Sequence, residues 1–333
     1  MKKGAFAAAG LFLFLGISSA WADATVETVS KFGGFKGVGA FEGTAVSRIQ
    51  GLKMVESTAS RFTGAILSLL PGGGEKITIH RIDKGVVWDL DTKKKTYTEM
   101  PIEPFKLGEP GGREGEGKSR ARVTKSEFKV AKTGSSETIN AFPCEEYLVT
   151  WLVEIEDLET KTKTENTMMT NLWTTPETAA IRKLQAEQEA FSRAYMNKLG
   201  LNLPPAEMKQ FGMEAIVSMS GTSGKEMDKE FGRFKNEMAK IKGHPIRTAV
   251  NWKTSGGDAP KREKPAAGQG PAGALGDLFG GLKGAISQKL SGGEAKKTAE
   301  DSFFLNTVEV KSIHTESIAA DAFEVPSGYA KER

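Results

Sequence analysis

Short runs in which apolar and polar side chains alternate dominate the first third of the chain. Ala24–Phe32, Thr44–Gln50, Leu52–Thr58, Lys76–Asp83, Val86–Asp91 and Thr96–Ile102 alternate and are bounded by Gly, Asp or Lys. A period of two puts every second side chain on one face. These runs therefore predict antiparallel hairpins with one buried and one wet face. Ser60–Leu70 departs from the pattern, because Phe62, Ile66, Leu67 and Leu70 fall at helical spacing and predict a short helix. Alternation resumes at Glu127–Lys132 and is clearest over Glu146–Glu156. There Tyr147, Val149, Trp151, Val153 and Ile155 take every second position, and Thr167–Thr174 returns as the partner. Pro245–Lys253 and Ser302–Ile318 bring the total to about ten strands, and Phe323–Tyr329 reads as a short strand running into a turn.

Between these blocks the period changes to that of a helix. Thr175-Pro176-Glu177 supplies a capping hydroxyl, a proline at the first helical position and a first-turn carboxylate. Ile181, Leu184, Gln188, Phe191 and Leu199 follow on one face, and Gly200 ends the run. A second helix is predicted from Pro205 to Ser218 with Met208, Phe211 and Ile216. A third, Lys225–Lys242, carries Met227, Phe231, Phe234, Met238 and Ile241 and closes at Gly243. The pattern thus predicts one α+β domain over residues 23–333, a curved antiparallel half-barrel sheet covered by a helical section at about 176–242. Candidate cavity residues are Trp88, Tyr147, Val149, Trp151, Val153 and Trp252 on the sheet, with Met208, Phe211, Phe231 and Phe234 on the helices. A slip of one residue in register would move any sheet candidate to the other face.

The N-terminus changes the picture of compartment. Met1-Lys2-Lys3, an apolar run from Ala5 to Leu15 and Ala20-Trp21-Ala22 are the parts of a secretory signal peptide over residues 1–22, cleaved between Ala22 and Asp23. Losing Lys2 and Lys3 lowers the formal charge from +4 to +2, which leaves no electrostatic footprint for nucleic acid. The chain is expected to be periplasmic or secreted and not an integral membrane protein, since no later stretch reaches spanning length. One cysteine, Cys144, and three scattered histidines, His80, His244 and His314, rule out a disulfide framework and a Cys-rich zinc site.

The motifs point away from catalysis and cofactors. Gly112–Ser119 fits the P-loop pattern in letters, but two prolines precede it, a strand-like stretch follows it, and Glu114 and Glu116 would repel phosphate. Asp89 and Asp91 begin like a calcium loop, yet Lys93 and Lys94 stand where an acid and a glycine are needed, so a hairpin turn is expected. Gly256–Gly293 holds 11 glycines and three prolines and reads as a disordered insertion, at about 255–300, within a hairpin. Inside it, residues 274–290 carry a helical apolar stripe (Leu275, Leu278, Phe279, Leu282, Ile286, Leu290) that suits an arm for an envelope protein partner or for its own domain.

Lys76–Pro101 (KITIHRIDKGVVWDLDTKKKTYTEMP), Gly243–Arg247 (GHPIR) and Phe323–Tyr329 (FEVPSGY) resemble an exported bacterial family of unknown function related to the LolA-like lipoprotein carriers. That resemblance implies an incomplete antiparallel barrel around helices, an apolar cavity for acyl chains and no catalytic residues. The expectation is a non-enzymatic exported binding protein, a carrier for a lipid or other hydrophobic molecule. The alternative is an envelope interaction or sensor module with a filled core and a partner-binding arm.

Overall fold

The computed structural model describes residues 23–35, 40–63, 73–104, 121–201, 225–255 and 302–332. All described strands belong to a single sheet. The first six are β1 (Ala24–Phe35), β2 (Phe41–Gln50), β3 (Lys53–Phe62), β4 (Gly73–Arg81), β5 (Val86–Asp91) and β6 (Thr96–Pro101). The next five are β7 (Ala121–Ile139), β8 (Phe142–Asp157), β9 (Lys163–Thr175), β10 (His244–Ser255) and β11 (Ser302–His314). A two-residue β12 (Ala330–Lys331) closes the chain, and two helices, α1 (Ala179–Lys198) and α2 (Lys225–Met238), lie between β9 and β10.

The order across the sheet is β12-β6-β5-β4-β3-β2-β1-β11-β10-β9-β8-β7. The chain therefore walks from the centre to one edge, restarts at the far edge and walks back. Its first and last long strands meet at a central seam, where Ser30 pairs with Val308 and Phe32 with Asn306. Every pairing is antiparallel except β12 with β6. The expected hairpins are present, and residues 256–301 connect two neighbouring strands as predicted. Turn chemistry supports them. Asp91 accepts hydrogen bonds from the Lys93 and Lys94 amides, so the would-be calcium loop is a turn. Asn140 and Ala141 both have positive φ, which suits the two-residue connection between β7 and β8.

That β7–β8 hairpin bends over. In a flat sheet β7 and β11 would lie roughly 19 Å apart, four strand spacings. Instead the Asn140 side-chain amide donates to the Val310 carbonyl at 3.0 Å and to Glu309 at 2.8 Å. Ile139, Cys144 and Ile246 bury one another beside Trp173 and Val310, so apolar contact holds the bend. Burial also pushes the Cys144 thiol pKa up, which leaves it an inert core residue.

Three local expectations are corrected. Helix α1 starts later than the Thr175-Pro176-Glu177 signal implied. Thr175 ends β9 opposite His244, and Thr178 is the cap, its hydroxyl accepting from the Ile181 amide. Sheet pairing outcompeted the capping signal because Thr174 and Thr175 are buried. Ser60–Phe62 belong to β3 rather than to a helix, paired with Gly43–Phe41, while residues 64–72 lie outside the described set. The C-terminal segment is a 3-10 turn at Ala320–Phe323 followed by β12, not a strand over Phe323–Tyr329. The predicted helix at Pro205–Ser218 and the arm at 274–290 lie outside the described residues.

Candidate functional site

Register fixes which residues share a face. Ala24 pairs with Ile49, Ile49 with Met54, Met54 with His80, and His80 with Val87. Helix α1 sits on this row. Phe191 packs with Ile49, Ile82, Val87 and Ile102, and Leu184 packs with Ala24 and Val26. The helix is tied down by polar contacts as well. Glu187, only 6% exposed, accepts from the Gly51 amide, and Lys183 donates to the Thr315 carbonyl. Sequence spacing placed Gln188 on the buried face, but Glu187 takes that place because the buried Gly51 N–H at the β2–β3 turn needs an acceptor.

Following the pairing through Phe32, Asn306, Val250, Thr170 and Val149 shows that the same face continues to β8 and β7. There α2 packs, with Phe234 against Phe128 at 4.2 Å between ring centroids. The Glu237 carboxylate of α2 accepts the outward Val130 amide of the edge strand at 2.7 Å, and Ile241 joins Val130, Tyr147 and Val149. Both described helices thus lie on one face of the sheet.

The same face also carries a strip of half-buried side chains. Trp151 pairs with Met168 and Met168 with Trp252; Phe32 stacks obliquely on Phe41 at 5.1 Å. Val153 continues the row opposite Asn166, and Val250 lies opposite Thr170. The sheet candidates Tyr147, Val149, Trp151, Val153 and Trp252 therefore share this face. Tyr147 and Val149 are buried, while Trp151, Val153 and Trp252 remain partly open. Of the helical candidates, Phe234 is placed against Phe128, the Phe231 side chain is outside the described set, and so are Met208 and Phe211.

Trp88 is a correction. It pairs with Ile79 and points to the opposite face, where Val55, Ile79, Leu90 and Phe323 enclose it. Its indole N–H donates to Glu99 at 2.8 Å, and Arg81 and Lys84 sit over its ring. Phe323, fully buried, belongs to the C-terminal segment that covers this end of the opposite face. Alternation alone could not say which side Trp88 takes, since Val86, Val87 and Trp88 are all apolar.

Asp23, at the expected cleavage position, is itself 6% exposed. Its carboxylate accepts from the Gln50 side chain at 3.1 Å and from the Ile318 amide, joining the start of β1 to the β2–β3 turn and the C-terminal segment. His80 and His244 are half-buried, and burial lowers the pKa of each. Among the described residues there is no group of acidic, His and Cys side chains that could hold a metal ion, and no helix is long and apolar enough to cross a membrane. Phe32, Phe41 and Met168 were not among the sequence candidates. Phe32 and Phe41 flank a stretch rich in glycine in the sequence, the one signal that would have found them; Met168 lies in a run with mixed alternation. Compared with models of known protein families and with curated proteins, the chain matches none.

Proposed function

We propose that the chain is an exported binding protein that carries a lipid or other hydrophobic molecule on the helix-bearing face of its sheet. The observation that carries this reading is the strip of Trp151, Met168, Trp252, Phe32 and Phe41, which stays half-buried on the face that α1 and α2 share. Apolar area left partly open gains about 25 cal/mol per Å² when a hydrocarbon covers it. Thioether and aromatic side chains adapt to differently shaped partners. The signal-like N-terminus and the resemblance of Lys76–Pro101 to LolA-like carriers support the same reading, with the curved half-barrel as its expected frame. It is a reading of binding rather than catalysis, and it requires no cofactor.

Protein purified from an exported fraction without detergent is expected to release acyl lipid in native mass spectrometry. A bromine-labelled fatty acid should quench tryptophan emission, because heavy atoms would sit against Trp151 and Trp252. The Trp151→Phe/Trp252→Phe double variant should lose most of that quenching, leaving Trp88 and Trp173 on the opposite face unquenched. Absence of both co-purified lipid and quenching overturns the proposal.

A further inference from the structure

A second feature of the helix-bearing face lies at its other end. The last turn of helix α1 packs on the β4–β6 hairpins, with Tyr195 and Leu199 against Ile82, Val87 and Ile102. An open cleft of about 480 Å³ remains, within the range of small-molecule sites. Its apolar wall is Val87, Met100, Ile102, Tyr195 and Leu199. Met100 is 45% exposed there, and Leu199, Val87 and Ile102 join the core cluster beneath.

The polar side of the cleft is built from β4 and β5. Thr78 donates to Asp89 at 2.7 Å, and Lys76 reaches the other oxygen of the same carboxylate at 3.1 Å. Glu103 stands exposed at the mouth. His80 forms the inner end, held edge-on between Phe191 and Tyr195, with its Nδ1 sealed from solvent and without a hydrogen-bond partner. Burial lowers the pKa of this imidazole against the opposing pull of Glu56 and Asp89, which favours its neutral form. The charged lining is therefore one lysine against two carboxylates, beside an aromatic ring that favours cations.

We infer that this cleft binds a small amphipathic cation, an alkylamine or quaternary ammonium whose chain lies on Met100, Ile102 and Leu199 and whose head meets Asp89 and Glu103. The site is separate from the Trp151–Trp252 strip, and its ligand has the opposite charge from a fatty acid.

Isothermal titration with decylammonium and decanoate below their micelle concentrations tests it. Decylammonium is expected to bind one to one and at least about fivefold more tightly than decanoate, a modest preference because the charges are near water. The Asp89→Asn/Glu103→Gln variant should erase that preference, and Met100→Ser, at an exposed position, should weaken decylammonium binding. Trp151→Ala should leave decylammonium binding unchanged. Equal binding of the two amphiphiles overturns the inference, as does an unaltered preference in the Asp89/Glu103 variant whose melting curve stays native. Loss of decylammonium binding in Trp151→Ala would place the amphiphile on the strip and also overturn it, leaving the carrier proposal standing.

Discussion

Gly243 shows how much one residue can decide. It has φ +84, and a Cβ built there would lie 2.4 Å from the Thr175 carbonyl oxygen. Sequence periodicity assigned this glycine to the end of a helix, whereas α2 stops at Met238 and Gly243 lets β10 approach β9. The contact is with backbone, which has no rotamer to escape into. Gly243→Ala should therefore cost more than about 2 kcal/mol in urea unfolding. Gly328→Ala is the control, since φ is +89 but nothing lies within 4 Å of the added carbon. It should cost only about 1 kcal/mol, the price of the left-handed conformation alone. Equal losses at the two sites would show that conformation, not the close approach, governs Gly243.

At the scale of elements, the C-terminal segment acts as a strap over the face that the helices leave alone. Phe323 enters the cluster of Val55, Ile79, Trp88 and Leu90. Arg81, itself buried, donates to the Phe323 carbonyl at 3.1 Å and pairs with Glu324, which Lys84 also holds at 2.8 Å. Ala330 then hydrogen-bonds Lys95 and starts the parallel β12, a short edge that offers little for another chain to pair with. Truncating a fully buried phenylalanine typically costs about 3–5 kcal/mol, so Phe323→Ala should lose that order of stability and shift the Trp88 emission to the red. A native melting temperature in Phe323→Ala would refute the strap.

For the molecule as a whole, the central seam joins two meanders, one running out from the centre to an edge and the other running back from the far edge. Glu309 on β11 gathers Arg247 of β10 at 2.7 Å, Lys311 at 2.7 Å and Asn140 of the bent hairpin at 2.8 Å. Burial alone would raise its pKa, but the hydrogen bonds from Lys311, Asn140 and Arg247 outweigh that and hold the carboxyl at about 2 rather than 4.5. A depressed carboxylate pKa stabilises the fold fully above about pH 4.5 and ceases to do so as pH falls towards 2. Acidification from about pH 7 to about pH 2 should destabilise the wild type more than Glu309→Gln, by up to about 3 kcal/mol. Chemical denaturation at both pH values reads the difference; parallel losses would remove Glu309 from the account of acid sensitivity.

The alternating runs by themselves determined that the protein is built of antiparallel hairpins, and that Tyr147, Val149, Trp151 and Val153 share a face, because a period of two is a local property of extended backbone. Helical periodicity likewise determined α1 and α2, and the Asp91 turn was legible from its side chain. Only the tertiary structure decided the rest. Thr175 became a strand residue because a neighbour was available to pair with it. Trp88 turned to the opposite face because its register partner is Ile79, and Glu187 was buried because a turn from the far side of the sequence needed an acceptor. Which face two helices would share, and what they would leave open, depends on contacts between residues more than a hundred positions apart. Local pattern carries no record of such pairings.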